Sequence, residues 1–80
     1  MHSDHLLNQI AHWPHVARAW INPFERELVI KVAVGNATRE LAFGLGDGDI
    51  RTLLRMAALG VSKAQTELRA IDSVTRRITS

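Results

Sequence analysis

The stretch Glu27 to Leu45, ELVIKVAVGNATRELAFGL, decides the fold. Leu28, Ile30, Val32 and Val34 alternate with Val29, Lys31 and Ala33. That period of two, with β-branched residues in it, predicts a strand. Gly35-Asn36 follows, two residues that tolerate the positive φ a tight primed turn requires. Arg39, Leu41, Phe43 and Leu45 then alternate on a second strand. A two-residue loop sets Val34 opposite Ala37 and fixes the register. Ile30 faces Leu41, Leu28 faces Phe43 and Lys31 faces Glu40. Two apolar pairs thus share one face and an opposite-charge pair the other, each contributing roughly 0.2–1 kcal/mol. A slip of one residue would set Lys31 against Arg39 and scramble both faces.

Upstream, Val16 to Ile21 reads as a third strand. Asn22-Pro23-Phe24-Glu25-Arg26 is its loop into the hairpin, with Asn-Pro as the turn signal. The loop length decides where Trp20 points. If Asn22 pairs with Glu27, Ile21 joins the Leu28 face and Trp20 joins Val29 and Ala42; one more loop residue reverses this. The first register is preferred because it puts the small Ala17 and Ala19 beneath helices. Before the strand, Leu6, Leu7, Ile10 and Trp13 recur at helical spacing. Ser3 or Asp4 is the candidate cap, and Pro14 marks the stop.

Downstream, the glycines and aspartates of residues 44–49 leave the sheet, with Asp47 or Asp49 as the next cap. Ile50, Leu53, Leu54 and Ala57 make one helical face, and Gly60 reads as a terminator. Ser62-Lys63-Ala64-Gln65 has a capping-box pattern opening a last helix. Its stripe is Ala64, Leu68, Ile71, Thr75 and Ile78. Lys63 with Glu67, and Asp72 with Arg76, are favourable spacings for its outer side. The expected fold class is α+β: an N-terminal helix, a three-stranded antiparallel β-meander and two C-terminal helices, as one domain over residues 1–80.

Eighty residues bury only roughly 60% of the unfolded chain's surface, so stability is marginal. The absence of cysteine excludes disulfides and thiolate-bound zinc, leaving oligomerisation as the common reinforcement. A hydrophobic fraction of 46% excludes wholesale disorder. No apolar run approaches the ~18 residues of a membrane span, and no signal-peptide pattern is seen; the expectation is a cytoplasmic protein with no membrane association. Residues 1–49 hold four basic and six acidic groups, while residues 50–80 hold six basic and two acidic. The C-terminal third is the positive end.

Gly60-Val61-Ser62 resembles the turn of helix-turn-helix DNA-binding proteins, in which a short glycine turn sets a second helix into the major groove. The resemblance covers residues 50–72. Met56 stands where that family usually has a small alanine, and Thr66 where it usually has a core valine or isoleucine. The resemblance implies Lys63, Gln65, Thr66 and Arg69 as base readers, with Arg76 and Arg77 near phosphates. A plain helical hairpin explains the same residues without DNA.

Other chemistry finds less footing. His2/His5 and His12/His15 each stand three apart, but Pro14 interrupts the second pair and no further ligand completes a set, so no metal is expected. Gly46-Asp47-Gly48-Asp49 lacks the closing glutamate of a calcium loop and the lysine of a phosphate loop. Ser62 is better explained as a cap than as a nucleophile. A chain this short leaves little room for a pocket of the ~300 Å³ that small ligands need. No enzyme activity and no cofactor are expected.

The second sheet face is the most informative feature. It carries Val16, Trp20, Val29, Ala33 and Ala42, with Arg18, Lys31 and Glu40 among them. The helices can cover one face of so small a sheet; covering both would take most of the chain. Trp20, Arg18, Val29, Lys31 and Glu40 are therefore the candidate protein-interaction residues, since aromatics and arginine are enriched at interface centres. The expectation is a non-catalytic interaction module of the adaptor or inhibitor type, phage-encoded examples included, that forms a homodimer through sheet or helix and binds a protein partner. The alternative is a small DNA-binding regulator.

Overall fold

The computed structural model describes residues 2–46 and 49–79. Five elements follow in chain order: helix α1 (His2–Ala11), strands β1 (Val16–Asn22), β2 (Glu27–Val34) and β3 (Ala37–Gly44), and helix α2 (Ile50–Thr79). The strands form an antiparallel sheet in the order β1-β2-β3, so the valine-rich strand is central. The fold is α+β.

The hairpin has the register its turn dictates. Val34 faces Ala37, Ile30 faces Leu41, Leu28 faces Phe43 and Lys31 faces Glu40. Of the two turn residues only Gly35 takes positive φ, at 60°, the pattern of a turn with glycine first. Asn22 pairs with Glu27 and Trp20 with Val29, the preferred register. The Asn22 carboxamide oxygen accepts from the backbone N–H of Phe24 at 3.1 Å and of Glu25 at 3.4 Å, and so builds the loop.

β1 breaks the expected alternation. Its register shifts between Val16 and Arg18, so that Val16 faces Val32 while Arg18 faces Lys31. Ala17 is the extra residue of a bulge. Two expectations are corrected: Val16 packs on the core side rather than the second face, and Ala17 is exposed rather than beneath a helix.

α1 already includes Ser3 and Asp4, so neither precedes it as a cap. It ends at Ala11, and Trp13 N–H closes the exit on the Ile10 carbonyl at 3.0 Å. Its buried Leu6 and Ile10 join Leu28, Ile30 and Val32 of β2 and Ala57, Val61, Ala64 and Leu68 of α2 in a single core. These strand residues share one face, so both helices lie on the same side of the sheet.

The expected pair of C-terminal helices is one helix of 30 residues. Asp49 starts it: its carboxylate accepts from Arg51 N–H at 3.2 Å, and its carbonyl accepts from Leu53 N–H at 3.1 Å. Asp47, the other candidate cap, lies outside the described residues. Gly60 does not stop the helix, because Ala57, Val61, Ala64 and Leu68 keep one phase of the 3.6-residue period across it. The glycine serves contact instead. A Cβ there would stand 2.8 Å from Phe43 Cζ, so the missing side chain lets α2 settle on the Phe43 ring.

The last part of the stripe also differs. Ile71 and Thr75 are exposed, and the inward position belongs to Asp72, 9% exposed. Its carboxylate accepts from Asn36 N–H at 3.4 Å and occupies the space beside Gly35. Glu67 likewise turns to the sheet and pairs with Arg39 of β3.

Candidate functional site

Strand alternation carries Arg18, Trp20, Val29, Lys31 and Glu40 to the face opposite the helices, and the register makes them neighbours. Trp20 stands beside Val29, Arg18 beside Lys31, and Lys31 between Arg18 and Glu40. Ala33 and Ala42 complete the apolar part. The Arg18 guanidinium lies 4.9 Å from the centre of the Trp20 ring, a cation–π contact that holds the indole in place. Val29 is only 9% exposed although no helix covers it, because Trp20 and Ala42 flank it across the strands. Trp20 and Lys31 are half-buried, while Arg18, Glu40 and Ala42 are exposed. Phe24, 94% exposed, stands in the β1–β2 loop at the end of the same sheet.

This face has an apolar centre with a charged surround: Arg18 and Lys31 on the β1–β2 side, Glu40 on β3. It offers binding area and no catalytic constellation. Among the described residues no group of three His, Asp or Glu is placed to hold a metal. His12 is instead committed to the Asn8 carbonyl, one turn back, at 2.6 Å.

The helix-turn-helix arrangement expected to present the DNA readers is not formed. A helix-turn-helix needs two helices meeting at an angle, and residues 50–72 lie in one straight-through helix. Lys63 and Arg69 are six positions apart, which turns them about 120° from each other at 3.6 residues per turn. Gln65 is drawn the other way, donating to the Pro14 carbonyl at 3.0 Å, and the Thr66 hydroxyl donates to the Ser62 carbonyl at 3.3 Å. Arg77 is exposed; the side chain of Arg76 lies outside the described residues.

One feature went unforeseen. Where α1, β1 and the start of α2 diverge, a crevice of about 370 Å³ opens, lined chiefly by Leu6, Ile21, Leu45, Ile50, Leu53 and Met56. The expectation that so short a chain leaves little room for such a volume is therefore corrected. Asp49 and Thr52 are the polar side chains of that lining, and Asp49 is engaged in capping α2.

No protein-family model matches the chain, and neither a curated protein nor a solved structure does. No described helix is long and apolar enough to cross a membrane.

Proposed function

We propose that this chain is a non-catalytic, cytoplasmic interaction module that self-associates and binds another protein through its open sheet face. One observation carries the reading: both helices lie on the Leu28 face, and the Trp20 face has no cover among the described residues. The partner has an apolar centre to meet Trp20, Val29 and Ala42, and acidic groups to meet Arg18 and Lys31. Adaptor and inhibitor are the roles that fit a surface of this kind without catalytic groups.

The test is partner capture from the source cells with native and Trp20→Ala chains, the fold being checked by circular dichroism. A central interface tryptophan costs at least about 2 kcal/mol when truncated, roughly a 30-fold loss of affinity. A Lys31→Glu chain should weaken the same complex. Unchanged capture by both variants defeats the reading.

A nucleic-acid role keeps one supporting observation after the loss of its turn. Arg51, Arg55 and Arg69 are exposed and fall on one side of α2. Duplex binding that falls steeply with salt, and disappears when these three arginines are changed to serine, would support it. Absence of any shift at low salt ends it.

A further inference from the structure

We propose that the occupant of the open sheet face is a second copy of this chain, packed sheet on sheet about a two-fold axis that runs along β2. This rests on that face being the binding surface, and it adds what binds there and in which orientation. The order of residues across the sheet carries it. Trp20, Val29 and Ala42 form one central row of the open face, and Arg18, Lys31 and Glu40 form the next, each running from β1 to β3. The two ends of each row are complements. An indole ends one and a methyl group its other side; a guanidinium ends the second row and a carboxylate its other side.

An axis along β2, in the plane between two facing sheets, sets β1 of each copy over β3 of the other at the same height. Trp20 then meets Ala42 of the second copy, and Arg18 meets its Glu40. Each pairing occurs twice, as an isologous contact requires. The angle of about −30° between aligned sheets displaces positions this near the centre by only roughly 3 Å. Arg18 stays stacked on Trp20 and leaves its guanidinium edge for the carboxylate. Val29, Lys31 and Glu27 lie on the axis and meet their own copies. The Lys31 pair has a Glu40 on either side, and the Glu27 pair stands at the rim beside the β1–β2 loop, where salt screens it. An axis across the strands, through the Trp20 row, would set Lys31 on Glu27. It would also set Trp20 on Trp20 and Ala42 on Ala42, large on large and small on small, which wedges apart sheets that pack evenly ~10 Å from each other. Eight residues of β2 and three strands give a footprint of about 26 by 14 Å. That is small beside the ~800 Å² a side of a stable dimer, so the association is concentration-dependent.

The test uses charge reversal and mass in solution by light scattering, with folding verified by circular dichroism. The native chain should move from monomer to dimer as concentration rises. Arg18→Glu alone sets carboxylate against carboxylate, and Glu40→Arg alone sets guanidinium against guanidinium; each should be monomeric at every concentration tested. Mixed in equal amounts, the two variants should associate one to one, because each altered charge then meets its opposite. Lys31→Leu removes the like pair from the axis and should tighten the dimer several-fold, whereas it would weaken capture of an acidic partner. A native chain that stays monomeric overturns the proposal, and the open-face reading then still answers to its own Trp20→Ala capture test. A dimer that Arg18→Glu leaves intact, or that Glu27→Lys alone dissolves, overturns it too.

Discussion

Gly35 has two reasons to be glycine, and they are independent. Its φ of 60° is strained for any L side chain, and a Cβ there would lie 2.5 Å from the Asp72 carboxylate. Gly35→Ala should therefore lower unfolding free energy by about 2–4 kcal/mol, adding backbone strain to a steric clash. Urea denaturation measures it, and a loss under about 1 kcal/mol would mean that the carboxylate simply moves aside. Arg26 is the reverse case: it carries positive φ, 53°, without being glycine. Arg26→Gly should stabilise the fold by about 0.5–1 kcal/mol, because the loop already holds the conformation glycine prefers. The turn glycine was legible in the sequence, since Gly-Asn sat between two alternating runs. The role of Asp72 was not, because i, i+4 spacing offered Arg76 as its partner and nothing local announces a contact with a turn 36 residues away.

At the scale of elements, the instructive case is α2. Glycine ahead of a serine cap is a sound stop signal when read locally. It lost because the apolar positions on either side keep the same phase, and burying Ala57, Val61, Ala64 and Leu68 outweighs the roughly 1 kcal/mol a mid-helix glycine costs. Phase continuity was there to be read in the sequence; the Phe43 ring that makes glycine useful was not. The two effects can be separated. In the native chain, Gly60→Ala should gain helix propensity but push against Phe43, with a net change near zero or destabilising. In a Phe43→Leu background the same change should stabilise by about 1 kcal/mol, because only the propensity gain remains. Equal effects in both backgrounds would show that the ring does not limit the approach. β1 shows a similar limit. Its loop was signalled by Asn22-Pro23 and its register was preferred on the small Ala17 and Ala19, yet strict alternation misplaced Val16 and Ala17, because a bulge is one residue of slack that no side-chain pattern here records.

The whole molecule is two layers, with helices on one side and bare sheet on the other, and extents of 47 × 21 × 20 Å. The long dimension reflects the 30 residues of α2 against eight in each hairpin strand. The single core rests on a few fully buried side chains, among them Ile10, Leu28, Ile30, Val32 and Leu68. Ile30→Ala should cost about 2–5 kcal/mol, a large share of what a domain this small holds. Unfolding should stay a single transition by fluorescence and circular dichroism, because both helices and the sheet draw on the same cluster. The layered arrangement was legible from hydrophobic spacing alone. Which apolar side chains stay exposed was half legible: the open Trp20 face followed from the β1–β2 register, whereas those on α2 emerged only once two short helices proved to be one.

The surplus residue at Ala17 has a consequence for how these sheets behave in a crowd. A regular outer strand is a template on which a neighbouring chain can add its own, hydrogen bond by hydrogen bond, until a fibril grows. The kink at Ala17 spoils that template along β1, leaving the rim at β3 as the smoother one. Heat-induced fibrils of this protein should therefore start from β3, and a proline placed at Glu40 should delay them more than one placed at Ala19.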